Sequence, residues 1–235
     1  LANIFSKQFI IETIDHNLKK SFKMTFFDNM TKREKPEIKA CRTKPFTKIS
    51  YIPDYSRLGG QSKLSEDMIK IIEKRTFDMA ACTDDKTSVY LNGEKVEHKN
   101  FEKYTSMYIG DKSETPRVYE APNERWEVVA SLNPFVNFEH VSFVNGINTY
   151  QGGKHVDYIT NQICKRVAAM IKKKKKINLK TVFIRENLMV FIKAIIDNPS
   201  FHSQTKENLT TNASKFGSKC ELSDKFMEGI LKCGI

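Results

Sequence analysis

Apolar and polar positions partly alternate over residues 7–30 in two stretches, QFIIETI and SFKMTFF. Both are rich in β-branched and aromatic side chains, and the polar Asp15, His16 and Asn17 lie between them. That pattern predicts a β-hairpin. Residues 31–45 are polar and basic, carry Pro36 and Pro45, and read as a loop. TKISYIP regains strand character and is stopped by Pro53. Past Ser65, which can cap a helix, Met68, Ile71, Ile72 and Met79 recur near helical spacing. They predict a helix with one buried stripe. SVYL and EKV flank Asn92-Gly93, the residue pair a type I′ turn requires, so a second hairpin is expected there.

The later part of the chain has a different rhythm. RWEVVAS and HVSFVNGINT read as strands, followed by a glycine-marked turn at Gly152-Gly153. Val156, Ile159, Ile163, Val167, Met170 and Ile171 then fall at steps of three and four, which predicts a long helix with one apolar face. Lys172 to Lys176 end it, and cations suit the partial negative charge of a helix C-terminus. LMVFIKAII is short and nearly continuously apolar, so it reads as a buried strand, with Pro199 beyond it. CELSDKFMEGILKCGI begins a further helix. No internal repeat is visible, and the only low-complexity run is the lysine tract.

With 235 residues, 40% of them hydrophobic, the chain can bury a core and form one large domain or two ordinary ones. A charged fraction of 29% and an aromatic fraction of 11% do not fit a disordered chain. No apolar run reaches the roughly 18 residues a membrane-spanning helix needs. The segment LANIFSKQFIIETID lacks the basic, apolar and small-residue regions of a signal peptide. A first residue other than Met makes the chain read as starting inside something longer. The five cysteines (Cys41, Cys82, Cys164, Cys220, Cys233) are odd in number, scattered and without a C-x-x-C pair. The histidines do not complement them at metal-ligand spacing, so neither a disulfide framework nor a zinc site is expected, and a reducing compartment is favoured.

The net charge of +11 points to an anionic partner, nucleic acid being the commonest. The charge is concentrated: no acidic residue occurs between Tyr158 and Arg185, whereas Lys165, Arg166, Lys172 to Lys176 and Lys180 do. Such a block can neutralise phosphates and release counterions without reading bases. The same block also reads as a solvated helix end and loop, or as a nuclear-import signal. GGKH imitates a phosphate loop but fails the G-x-x-x-x-G-K-[ST] pattern twice. Asn148 stands where the first glycine belongs, and His155 where a magnesium-binding hydroxyl belongs. A tight strand-to-helix turn remains, with the helix N-terminus free to meet an anion. NPSFHSQTKENLT places Gln204 and Lys206 in a loop after a buried strand, from which a lysine can be aimed at a phosphoryl group. On residues alone it reads as an ordinary surface loop, its lysine one of 39 basic residues. No G-x-S-x-G or nucleophile triad is present, no carboxylate pair stands out, and Trp126 and Tyr108 read as core or interface aromatics.

Taken together, these segments resemble the type IIA DNA topoisomerases of eukaryotes. RWEVVASLNPFVNFEHVSFVNGINTYQGGKHVDYITNQI is similar to the family segment SFVN-x-I-x-T-x-x-GG-x-HVDY. NPSFHSQTKENLT resembles NP-x-F-x-SQTKE-x-(M/L)-T, and FGSKCELSDKF its continuation. LANIFSKQFIIETID and KMTFFDNM resemble the stretch directly after the family's glycine-rich ATP lid. The likeness runs collinearly along essentially the whole chain.

The resemblance implies an α+β chain in two pieces. Residues 1–100 would be the C-terminal half of a Bergerat-fold (GHKL) ATPase domain. Residues 101–235 would be a transducer domain with a βαβ-containing, ribosomal-protein-like fold. It implies ATP and Mg2+ as cofactors, duplex DNA and a second protomer as partners, no membrane, and the nucleus as location. Gln204, Thr205 and Lys206 map onto the loop that reaches the γ-phosphate, with Lys206 as the catalytic contact. Lys172, Lys173 and Lys174 map onto the lysine-rich loop that approaches DNA, and Lys175 and Lys176 extend that run here. The family's general-base Glu, magnesium-binding Asn and lid would precede Leu1. Its metal-binding module and DNA-cleaving Tyr would follow Ile235. The segment alone is thus expected neither to hydrolyse ATP nor to cut DNA. The residues by themselves leave open a basic nucleic-acid-binding module with no ATP role, or a structural arm and dimer contact.

Overall fold

A computed structural model describes residues 1–60, 62–84, 86–97, 100–135 and 137–234. The chain divides into two compact units, residues 1–69 and 70–235.

The first unit is an antiparallel sheet of β1 (Ser6–Asp15), β2 (Lys20–Phe27), β3 (Lys32–Arg33), β4 (Glu37–Ala40) and β5 (Thr47–Pro53). The hairpin read from the alternation is β1 and β2, in register from Gln8↔Phe27 to Asp15↔Lys20. β5 pairs with the other side of β1. The reading of residues 31–45 as a loop is corrected, because β3 and β4 both pair with β2. They form one edge interrupted around Pro36, where a missing N–H cannot join a ladder.

The second unit begins within α1 (Glu66–Cys82), where the Met68 amide lies 3.3 Å from the Ser65 hydroxyl oxygen. The buried stripe expected on this helix is also corrected. Met68, Ile71, Ile72 and Met79 are each about half exposed, while Asp78, Ala80 and Ala81 are buried. Asp78 tolerates burial because Lys74 Nζ (2.7 Å) and the Tyr104 hydroxyl (2.6 Å) both donate to its carboxylate. The Asn92-Gly93 turn joins β6 (Tyr90–Leu91) to β7 (Glu94–Lys95), with φ of 52° and 88°. The short helices α2 (Phe101–Tyr104) and α3 (Ser106–Ile109) follow.

The centre of this unit is a second sheet made of β8 (Arg117–Asn123), β9 (Trp126–Leu132), β10 (Glu139–Val144), β11 (Ile147–Asn148) and β12 (Leu188–Ala194), in the order β11-β10-β12-β9-β8. β10 and β12 run parallel, in register from Glu139↔Met189 to Val144↔Ala194. Parallel neighbours require a crossover, supplied here by α4 (Lys154–Lys175) and α5 (Thr181–Glu186) as a βαβ unit. α6 (Asp224–Lys232) is capped by the Ser223 hydroxyl, which accepts from the Phe226 amide.

β12 explains its own unbroken hydrophobicity, since both of its faces are covered. Leu188, Val190 and Ile192 pack with Trp126 and Val128 of β9, Val156, Ile159, Ile163 and Val167 of α4, and Phe226 and Ile230 of α6. Met189 and Phe191 face the other way, into a cluster with Phe101, Tyr104, Val129 and Phe143. Trp126 is fully buried in the first core, and Tyr108 packs on the second with its ring 5.7 Å from Phe191. No helix among the described residues is long and apolar enough to cross a membrane.

Candidate functional site

Two groups of residues singled out in the sequence lie toward opposite ends of α4. Near its N-terminus, residues 200–210 fold back as a tight loop. The Thr210 amide donates to Ser200 O (2.9 Å) and the His202 amide to Asn208 O (3.0 Å), while Phe201 and Leu209 form an antiparallel bridge. Gln204 and Thr205 are exposed at the tip. Lys206 follows in a left-handed conformation, φ 60°, with its amide donating to Ser203 O at 3.1 Å. Its Nζ lies 5.9 Å from the Phe201 ring centroid and makes no ion pair among the described residues.

The loop is fastened to the Gly152-Gly153 turn at several points. The Gln151 amide donates to Glu207 O (3.1 Å), its side-chain amide to the Glu207 carboxylate (2.9 Å), and the Asn208 side chain to Gln151 O (3.1 Å). The Leu209 amide donates to Gly152 O and the Lys154 amide to Leu209 O, each at 3.0 Å. The last bond corrects an expectation, because the first amide of α4 is already occupied by a protein carbonyl and is not free for an anion. Hydrogen bonding from Tyr150, and secondarily from Thr205, holds the Glu207 carboxyl below its usual range, so it stays an acceptor. Sequence reasoning found the glycines but not Gln151, Glu207, Asn208 or Leu209 as the loop's anchors. Their partners are some fifty residues away in sequence, and no local pattern marks the pairing.

Beneath the turn lies a buried polar layer. Ser142 and Thr149 hydroxyls are 2.6 Å apart, and Thr149 Oγ1 lies 3.1 Å from His155 Nε2. His155 is completely buried, and desolvation, with His140 nearby, pushes its pKa down to about 3. Desolvation also lowers His140, whose ring stacks on Phe138 at 5.9 Å. Phe138 in turn lies under the Arg185 guanidinium at 4.7 Å. A cleft of about 480 Å³ opens here, bordered by His140, Gly152, Lys154, Arg185 and Asn208.

Lys172 to Lys175 form the last turn of α4, and Lys176 ends it in a left-handed cap, φ 60° and ψ 17°. All five are exposed and none makes an ion pair among the described residues. At 1.5 Å per residue, Lys172 stands roughly 27 Å along the helix axis from Lys154. The structure thus gathers Gln204, Thr205 and Lys206 in one loop and keeps Lys172, Lys173 and Lys174 apart from it, with α4 as the rigid connection. No three His, Cys, Asp or Glu side chains among the described residues gather closely enough to hold a metal ion. His98 lies outside the described residues.

Residues 85–232, more than half of the chain, match the model of the DNA gyrase B family. The chain belongs to the DNA gyrase B family. Within that family it is similar to the eukaryotic DNA topoisomerases 2, as the sequence segments indicate. It is 44% identical to DNA topoisomerase 2 of Arabidopsis thaliana over 243 residues and 40% identical to DNA topoisomerase 2-alpha of Homo sapiens over 242. Each alignment covers 100% of this chain and 16% of the relative, so the chain spans about a sixth of those proteins. Among solved structures, the ATPase region of Saccharomyces cerevisiae topoisomerase II matches with a TM-score of 0.87 and 36% identity. The ATPase and transducer domains of DNA topoisomerase II from Balamuthia mandrillaris match at 0.88 and 41%. Both cover 98% of this chain and 59% of the other.

Proposed function

We propose that this chain is the part of an ATP-dependent type II DNA topoisomerase that couples the nucleotide to movement of the gate through which one duplex passes another. The observation that carries this reading is the Gln204-Thr205-Lys206 loop. Its tip is exposed, its lysine makes no ion pair among the described residues, and its base is pinned to the start of α4. A lysine so held is a charged donor for a terminal phosphate supplied from a neighbouring nucleotide pocket. When the phosphate leaves, that contact is lost, and the body carrying α4 is released to swing, a switch controlled by one local charge. The lysine tract at the far end of α4 is the DNA-facing element.

On this reading residues 1–100 belong to a GHKL ATPase domain and residues 101–235 to a ribosomal-protein-like transducer. Two protomers close as a dimer around bound ATP, and the protein works on nuclear DNA. The described residues offer no magnesium cluster, so no step through Mg2+ is assigned to them. The segment alone is assigned no ATP turnover and no DNA cleavage. The end-to-end similarity to DNA topoisomerases 2 favours this reading over a free-standing basic module.

Plasmid topology tests it. Passing a duplex through a duplex changes the linking number in steps of two. The full-length protein is expected to relax supercoiled DNA in such steps with ATP and not without it. Steps of one, or relaxation indifferent to nucleotide, would contradict the reading.

A further inference from the structure

The lysine tract is not purely polar. Ile177, Val182 and Phe183 are 56%, 57% and 54% exposed, although each is large and apolar. They sit in the short connection and first turn of α5 that directly follow Lys172 to Lys176, and Lys180 stands between them. The next residue, Ile184, is 2% exposed and anchors α5 in the main core, which fixes the position of Phe183 beside it. Along the chain, lysines that make no ion pair among the described residues are thus followed by three exposed apolar side chains, and no carboxylate occurs from Tyr158 to Arg185, Glu186 standing at the end of α5.

Five consecutive lysines repel one another, so the tract is best satisfied by a polyanion. Its apolar members need an occupant that also offers apolar surface. A DNA duplex meets both demands, with phosphates along its rim and sugar edges, thymine methyls and base steps within its grooves. An anionic lipid surface fits less well. α5 has only six residues and is tied down by Ile184, so it cannot present the long amphipathic face that lies in a lipid interface.

We infer that Ile177, Val182 and Phe183 form an apolar contact for duplex DNA, set inside the cationic tract and seated in a groove while the lysines hold the flanking phosphates. This inference rests on the assignment of Lys172, Lys173 and Lys174 to DNA and adds a component that salt does not screen.

Photocrosslinking of the full-length protein tests the inference. Separate variants Phe183→p-benzoyl-phenylalanine, Lys174→p-benzoyl-phenylalanine and Met107→p-benzoyl-phenylalanine would be irradiated with a labelled DNA duplex, and with phosphatidylserine-containing vesicles. Met107 is exposed but outside this segment of the chain. The expected result is a DNA adduct at positions 183 and 174, with a yield at 183 at least about fivefold above that at 107. An adduct at 174 but not at 183 would overturn the apolar contact and leave the lysine assignment standing. No DNA adduct at either position would overturn both. A lipid adduct at 183 without a DNA adduct would replace the duplex by a membrane surface and overturn the inference.

Discussion

Gly153 and Leu209 approach so closely that only glycine fits between them. A Cβ placed on Gly153 would lie 2.5 Å from the Leu209 nitrogen and closer still to its carbonyl oxygen. The backbone of Gly153, at φ 127°, also lies in a region that side chains disfavour. This close approach lets the turn before α4 and the loop carrying Lys206 bond as one piece. Gly153→Ala is therefore expected to destabilise the fold by about 3 kcal/mol and to loosen residues 203–209 first. Chemical denaturation and hydrogen exchange at the Leu209 and Lys154 amides check it. Unchanged stability with unchanged protection would mean that the loop is held by something else.

His155 gives the fold a pH dependence of known sign. Its pKa is pushed down to about 3 in the folded chain, against an ordinary value near 6.5. Between these values the unfolded chain binds a proton that the folded chain refuses. The stabilising contribution is complete above about pH 6.5 and is lost as pH falls, at up to about 1.4 kcal/mol per pH unit. His140, also lowered by burial, acts in the same direction. In urea titrations, His155→Gln should be less stable than the parent at neutral pH. That deficit should shrink by roughly 1.5 kcal/mol between about pH 6.5 and about pH 5. Parallel pH curves for the two proteins would show that His155 is not the neutral, buried group described.

The lysine tract makes a quantitative prediction about salt. If Lys172, Lys173 and Lys174 each neutralise one phosphate, replacing all three with Ala should reduce the slope of log affinity against log salt by about 2.7. Duplex binding by the full-length protein across a salt series measures it. An unchanged slope would show that the tract is merely solvated.

Much of this architecture can be read from local patterns, and the exceptions share a cause. The β1–β2 hairpin, the Asn92-Gly93 turn and the apolar face of α4 follow from alternation, positive-φ residues and helical spacing, all short-range signals. α1 shows where such signals stop. The spacing of Met68, Ile71, Ile72 and Met79 marks a helix correctly, but which face is buried depends on partners. Here Asp78 is buried because Lys74 and Tyr104 meet it. β8 escapes notice because RVYEAPN carries Pro122 and exposes alternate residues. Its strand character comes from pairing with β9. At the loop, Gln204, Thr205 and Lys206 stand out only through family resemblance. The zipper from Gln151 to Leu209 that positions them is a long-range pairing that no local pattern encodes.

The most direct test is ATP turnover by the full-length protein carrying Lys206→Ala. If Lys206 contacts the terminal phosphate more strongly as charge develops on it, kcat should fall by roughly two orders of magnitude. Binding of a non-hydrolysable nucleotide should change much less, and Lys206→Arg should recover only part of the rate. Near-normal turnover in Lys206→Ala would contradict the assignment of this loop as the phosphate contact that links the nucleotide to α4.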